Sequence, residues 1–369
     1  MTDAERRLED ERWMRHALSL AEKGRRIAPP NPAVGAVIVK DGVVLGEGFT
    51  QETGGPHAEV MAFRDAQARC NDVTGATIYV TLEPCSHWGR TPPCALAIVK
   101  HKLARVVAAV KDPNPLVAGR GLRMIEEAGI AVTAGVLERE AWLSNAGFLT
   151  RMTTGRPWVH MKVAATLDGR TALPDGRSFW ITGEAARADG LYWRAVSGAV
   201  VTGIGTVLAD DPQMTVRLPD QVRFPLRVVV DPRLETPLDA KILSGGGTIL
   251  VAAADSERRK ALEEKGAEIW ILPDEGQPGH VDLGKMLERL AERQVNEIHL
   301  EAGAGLNASF LGQNLVNEII LYQAPCFFGS GLSIANLPNP DDPGSAERWT
   351  IGDVKKIGDD LRLILRRKL

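Results

Sequence analysis

The sequence predicts an α/β protein built as two layered domains, and three observations lead there. At 369 residues the chain is longer than one ordinary hydrophobic core accommodates. Short valine-rich runs alternate with amphipathic segments, as strands and helices do when they pack in layers. The strand pattern also restarts at "RPWVHMKVAATLDG", directly after "NAGFLTRMTTG". The expected domains are therefore residues 1–150 and 151–369, joined without a long flexible linker.

In the first domain, residues 8–24 read as an amphipathic helix with Leu8, Trp13, Ala17, Leu20 and Ala21 on its apolar face, stopped at Gly24. "PPNPAVGAVIVKDGVVLGEG" reads as a hairpin turning at Asp41-Gly42. "HAEVMAFRDAQA" is helical by period, "ATIYVTLEP" a strand, and "CALAIVKHK" opens a helix. "ARVVAAVKDPNP" is a strand running into a Pro-rich loop, and "GRGLRMIEEAGIAVTAGV" adds a helix and a strand. In the second domain a helix over 183–195 follows the restart. "GAVVTG", "LRVVVD", "TILVAAA" and "AEIWIL" are short buried strands, and a helix covers 282–293. "EIHLEAGAGLNASFLGQ" reads as strand, glycine loop and helix. Such alternation implies a mostly parallel sheet with a crevice at the carboxyl ends of its strands.

The composition, 44% hydrophobic and 25% charged, is that of a folded soluble protein. No apolar run approaches the roughly 18 residues of a membrane span. The charged start "MTDAERRLEDERWMRHAL" has no apolar signal core, so a cytoplasmic protein is expected. Residues 1–150 carry 18 basic and 18 acidic side chains and the remainder 26 and 29. Neither half has the basic excess of a nucleic-acid groove.

Two of the four cysteines stand nine positions apart in "TLEPCSHWGRTPPC", and a reducing compartment takes most of the weight from a disulfide there. Upstream, "GGPHAEV" places His57 and Glu59 at a helix start. His57, Cys85 and Cys94 form a three-donor set that leaves one tetrahedral position on zinc open for water. Glu59 can reach that water without binding the metal and move its proton. Cysteines near helix N-termini would be stabilised as thiolates. A structural zinc site would want a fourth protein ligand, which only His87 could supply nearby; buried thiols beside a surface histidine are the other bland alternative. The order of residues is the H-x-E…P-C…C pattern of zinc nucleobase deaminases, except that eight residues separate the cysteines where that pattern usually has two.

That long gap, with "PNPAVGAVIV", "DPNPLVAGRGL", "KVAATLDGRTA", "SFWITGEAAR", "TVLADDPQMTVR" and "EAGAGLNASF", resembles the bacterial riboflavin-biosynthesis deaminase–reductases over nearly the whole chain. The resemblance implies a cytidine-deaminase-like α/β/α domain over 1–150 and a dihydrofolate-reductase-like α/β domain over 151–369. It implies Zn2+ on His57, Cys85 and Cys94, with Glu59 as proton shuttle, and NADPH in the second half. The substrate implied is a small phosphorylated pyrimidine, deaminated first and then reduced from a ribosyl to a ribityl chain. No nucleic acid or membrane partner is expected, and homo-oligomerisation is left open. Asn31 matches a pyrimidine-contacting asparagine, although a turn residue before proline is an equal reading. Thr50 departs from the family, which usually has a substrate-holding histidine there.

For the cofactor, the resemblance points to Ala164, Trp180, Thr206, Asp210 and the loop Gly303, Ala304, Gly305, Leu306, Asn307, Ala308 and Ser309. By itself that loop is a strand-to-helix turn whose amides could cradle a phosphate or merely connect two elements. Substrate positions match Ser178, Arg194, Met214, Arg217 and Glu301. The two arginines suit a ribose phosphate, with solvated or ion-paired surface roles as the alternative. Lys162 is either a catalytic aid or a structural lysine paired with Asp210 or Glu301. His16, His101, His160, His280 and His299 are expected to be ordinary surface or core residues, and Cys70 and Cys326 small apolar fillers. A deaminase of another nucleobase or of tRNA, with a degenerate reductase half, is the competing enzymatic reading. A zinc-stabilised binding protein is the non-enzymatic one, and Glu59 argues against it.

Overall fold

The computed structural model describes residues 2–88, 92–114, 118–178, 180–219 and 221–367. Residues 89–91, 115–117 and 179, inside three of the quoted motifs, lie outside that description. The chain divides into two compact units, Met1–Gly155 and Arg156–Leu369. The first extends past residue 150 because α6 (below) continues to Thr154 and is capped by Gly155 at φ 70°.

In the first unit, α1 (Asp3–Gly24) starts five residues before the apolar period does, because Thr2 and Glu5 form a reciprocal capping box. Burial along it begins only at Asp10, so Leu8 is exposed rather than packed. β1 (Gly35–Lys40) and β2 (Val43–Phe49) form the expected hairpin, with Asp41 and Gly42 both at positive φ. α2 (Ala58–Ala68), β3 (Thr77–Leu82), α3 (Cys94–Lys100), β4 (Arg105–Val110), α4 (Arg120–Glu127), β5 (Ala131–Ala134), α5 (Glu138–Ser144) and α6 (Ala146–Thr154) follow. Their sheet runs β2-β1-β3-β4-β5, antiparallel across the first three strands and parallel across the last three. α2 lies directly on β2 because Gly46 and Gly48 have no side chains: a Cβ on Gly46 would stand 2.3 Å from the Ala62 carbonyl. Asp10 of α1 is buried and clamped to the sheet by both Arg105 Nη atoms at 2.8 and 2.7 Å and by the Tyr79 hydroxyl.

The second unit contains β6 (Trp158–Thr166), β7 (Arg170–Ala172), α7 (Glu184–Val196), β8 (Ala199–Gly203), α8 (Ile204–Asp210), β9 (Leu226–Val230), β10 (Thr248–Ala252) and α9 (Arg259–Glu264). β11 (Ala267–Ile271), α10 (Leu283–Glu292), β12 (Glu297–Leu300), α11 (Ala304–Gly312), β13 (Glu318–Ala324), β14 (Leu332–Ser333), β15 (Thr350–Ile357) and β16 (Asp360–Arg366) complete it. Nine strands line up as β11-β10-β9-β8-β12-β6-β13-β16-β15. The seven from β11 to β13 are all parallel, and only the final hairpin is antiparallel. β12 and β6 are therefore central strands, covered on both faces, which explains their near-continuous burial.

Candidate active sites

In the first unit, three metal donors converge from two helix starts and the end of a strand. His57 is the N-cap of α2, Cys94 is the first residue of α3, and Cys85 follows β3. His57 Nδ1 lies 3.6 Å from Cys85 Sγ and 3.4 Å from Cys94 Sγ, and the three donor atoms fall within 4.8 Å of one another. A tetrahedral zinc at ordinary bond lengths separates its S and N ligands by about 3.5 Å. One borderline nitrogen and two soft sulfurs at these spacings fit zinc, and they are the one such cluster among the described residues.

The electrostatics agree. Cys85 is held down to about 4 by hydrogen bonding from the Cys94 thiol, against the opposing effect of burial, with His57 and the Cys94 amide helping. That amide reaches Cys85 Sγ at 3.3 Å. Cys94 is pushed up, first by its hydrogen bond to Cys85 and then by burial, since two adjacent thiolates would repel without a metal. Glu59, buried in the first turn of α2, is raised to about 7 by burial and by the charge on Cys85. A carboxyl balanced there can both accept and return a proton near neutral pH.

The surroundings include residues that sequence reasoning missed. Glu83, two before Cys85, is buried and accepts four backbone N–H groups: Asp112 and Gly119 on Oε2 at 3.1 and 2.9 Å, Gly121 and Leu122 on Oε1 at 2.9 and 3.3 Å. Asn145 pins Ala33 through both its N–H and its carbonyl, each at 2.8 Å. Neither leaves a local signal, because the partners are backbone groups far along the chain. Asn31 sits half-buried in the segment that Asn145 fixes. Thr50, where a histidine was expected, is buried and commits its hydroxyl to the Val34 amide at 3.0 Å. It shapes the same segment instead of reaching for a ligand.

In the second unit a cavity of ≈ 1160 Å³ opens along the carboxyl ends of β6, β8, β9 and β12. Ala164, Trp180, Thr206, Asp210, Gly303, Ala304, Gly305, Leu306, Asn307 and Ser309 line it, as do Ser178, Arg194, Met214, Glu301 and Lys162. Ala308 and Arg217 are not on its wall; Ala308 is half-buried on α11, and Arg217 is exposed. The space suits a dinucleotide together with a substrate. A Cβ added at Gly303 or Gly305 would meet nothing within 4 Å, so the amides opening α11 face free volume, and the buried Asn307 Oδ1 has no partner among the described residues. Trp180 stands at the lip with φ 41°, stacked under Arg187 at 4.1 Å.

Arg194 does not present a free fork to a phosphate. Its Nε and Nη2 grip Glu301 Oε1 and Oε2 at 2.5 and 2.7 Å, and Nη1 donates to the Thr215 carbonyl. Burial alone would raise Glu301, but the Arg194 charge and hydrogen bonds, with Lys162 nearby, hold it well below the carboxylate range. His160 and His299, expected to be ordinary, are buried side by side next to this pair, with ring centroids 5.1 Å apart. Cys70, expected to be a packed filler, is instead exposed at φ 57°, and Cys326 is half-buried. No described helix is long and apolar enough to cross a membrane.

The sequence matches the RibD C-terminal domain family over residues 157–363 and the cytidine and deoxycytidylate deaminase zinc-binding region over residues 7–110. It is 42% identical to the riboflavin biosynthesis protein RibD of Escherichia coli, across 97% of this chain and 99% of that protein. The corresponding protein of Aquifex aeolicus is 40% identical across 97% and 98%. The Acinetobacter baumannii RibD structure superposes with a TM-score of 0.87 at 42% identity, covering 98% of this chain and all of that one. A Thermotoga maritima diaminohydroxyphosphoribosylaminopyrimidine deaminase/5-amino-6-(5-phosphoribosylamino)uracil reductase does so at 0.85 and 32%, with the same coverage.

Proposed function

The chain belongs to the RibD family of riboflavin-biosynthesis deaminase–reductases, and from that premise we propose which residues carry each of its two reactions. It is a deaminase and a reductase, with Zn2+ and NADPH as cofactors. The unit Met1–Gly155 deaminates 2,5-diamino-6-(5-phosphoribosylamino)pyrimidin-4-one to 5-amino-6-(5-phosphoribosylamino)uracil. The unit Arg156–Leu369 then reduces the ribosyl group to ribityl. The observation that carries this reading is the donor triangle of His57, Cys85 and Cys94 with Glu59 buried beside it in the first turn of α2.

His57, Cys85 and Cys94 hold the zinc, which supplies the Lewis acidity that makes water nucleophilic near neutral pH. Glu59 takes the proton that water gives up as its oxygen bonds the amino-bearing ring carbon, then returns it to the departing nitrogen, so ammonia leaves. Asn31, in the segment fixed by Asn145 and Thr50, orients the pyrimidine. In the second unit NADPH supplies the hydride. The start of α11, residues 303–309, which the structure shows as helix and not as a loop, receives the cofactor with Thr206 and Asp210, and Ser178, Met214, Arg194 and Glu301 receive the substrate. Lys162, whose charge reaches Glu301, is placed to support proton delivery as C1′ accepts the hydride. We assign the work to the cytoplasm, since unpaired thiols serving as metal donors need a reducing compartment.

Incubating the protein with the diaminopyrimidine, with and without NADPH, and resolving products by mass spectrometry tests the scheme. Ammonia loss without NADPH, followed by gain of two hydrogens only when NADPH is added, is expected. Absence of both would overturn it; deamination without reduction would overturn the assignment of the second unit.

A further inference from the structure

The buried histidine pair beneath Glu301 has no place in the scheme above, and its geometry assigns it one. His299 lies on β12, and Glu301 follows one residue past its end with its amide still bonded to the Val201 carbonyl of β8, so both side chains emerge on the same face of the sheet. It is 0% exposed. On the neighbouring strand β6, His160 is its register partner, and Trp193 of α7 and Ser197, which caps that helix, pack on His160. His299 Nε2 stands 2.8 Å from Glu301 Oε1, the oxygen that also accepts Arg194 Nε. The contact is close but not aligned as a hydrogen bond, and neither Nε2 nor Nδ1 has a hydrogen-bond partner among the described residues.

We propose that His299 is a positioning residue of the reductase: its Nε2 edge, pressed against Oε1 at 2.8 Å, holds Glu301, and through it Arg194, in the arrangement that receives the substrate. The proposal rests on the reading of this cavity as the reductase site. A bare ring nitrogen and a carboxylate oxygen at 2.8 Å would repel, so the uncharged ring carries its proton on Nε2, where even a bent N–H favours the contact. The ring is otherwise a poor occupant, because a leucine would fill the space without burying an orphan nitrogen. Packing gives no reason for an imidazole here, whereas contact with Glu301 does. Burial and the nearby charges of Arg194 and Lys162 keep the ring uncharged, against the pull of Glu301. His160 cannot take over the role. The Ser197 hydroxyl donates to the Trp193 carbonyl at 2.7 Å and must therefore accept from His160 Nε2 at 3.0 Å, which fixes that ring toward α7.

The test compares H299L, which keeps bulk and loses the donor, with H299Q, which keeps an N–H donor. Reduction of the deaminated substrate is measured in the full-length enzyme, with NADPH affinity and deamination followed alongside. We expect H299L to raise KM for the reductase substrate about tenfold, the loss of one close polar contact to a charged group, with kcat changing far less. NADPH affinity and deamination stay at wild-type levels, and H299Q recovers most of the KM. A wild-type KM in H299L overturns the proposal. So does equal damage in both variants accompanied by lost NADPH affinity, because that pattern means packing alone. Failure of the wild-type enzyme to reduce the substrate would instead overturn the assignment of the cavity.

Discussion

Glu83→Gln should loosen the loop behind the zinc site far more than a one-atom change suggests. In the wild type the carboxylate offers two oxygens to four amides, two on each. Glutamine keeps one oxygen and replaces the other with an NH2 that faces two N–H donors. Whichever way the amide turns, two bonds are lost: those of Asp112 and Gly119, or those of Gly121 and Leu122. A buried donor left unpaired costs about 1–3 kcal/mol, so the substitution should destabilise the first unit by roughly 3–4 kcal/mol. The loop has little room to rearrange, since the Gly121 backbone sits so close to Pro84 that a Cβ there would lie 1.9 Å from its carbonyl oxygen. Cys85 follows Pro84 directly, so zinc should be held less tightly as well. Urea unfolding of the zinc-loaded protein, read by zinc release to a coloured chelator, isolates this unit from the other. A shift below about 1 kcal/mol with unchanged zinc affinity would refute the reasoning and mean that water replaces the carboxylate at little cost.

Three further outcomes follow from the same geometry. Gly46→Ala forces a Cβ into the α2 backbone at Ala62 and Ala66, and should cost about 2–3 kcal/mol while weakening zinc binding through displaced His57, measured by the same release assay. Glu59→Gln should lower deamination roughly 10²–10⁴-fold with zinc content unchanged and with reduction of supplied deaminated substrate intact; full deaminase activity would remove Glu59 from the mechanism. In the second unit, His299 and Glu301 both have folded values below their ordinary ones, so the unfolded chain binds more protons on acidification. The His299 contribution is complete above about pH 6.5 and is lost as pH falls below it, while that of Glu301 begins to fade only below about pH 4.3. The NADPH-protected melting temperature should therefore fall between pH 7.5 and 5.5 in wild type and fall less in H299L.

What could be read from the sequence divides along a physical line. His57, Glu59, Cys85 and Cys94 were legible because metal and proton chemistry admit few residue types. The hairpin at Asp41-Gly42 was legible because its backbone demands positive φ at both positions. Glu83 and Asn145 were hidden because they bind peptide groups, and every residue carries those; nothing in the partner's identity betrays the pairing. His299 was hidden differently. The alternation of Glu297, His299 and Glu301 looks like the polar face of an edge strand, but β12 is a central strand between β8 and β6 of a parallel stretch, whose faces are packed, and His299 is fully buried there. The final hairpin β15–β16 carried no strong signal either, since β15 is exposed along nearly its whole length and lacks an apolar face to give period two.

The eight-residue gap between the cysteines departs from the two-residue spacing usual in zinc deaminases, yet the donor triangle is intact. Cys94 reaches the metal position because it starts α3, and the amides of Cys94 and Ala95 turn back onto Cys85 at its Sγ and its carbonyl, at 3.3 and 3.2 Å. The ends of the loop are thus fixed by backbone hydrogen bonds at the helix start, whatever the number of residues between them. Lengthening a flexible loop from two to eight residues is two doublings, about 1.2 kcal/mol of closure entropy. Structural zinc sites bind by about 10–16 kcal/mol, so the cost of the longer loop is small beside the bonds it joins. The geometry of the donors constrains a zinc site tightly; the length of chain between them constrains it hardly at all. The extra residues lie outside that constraint.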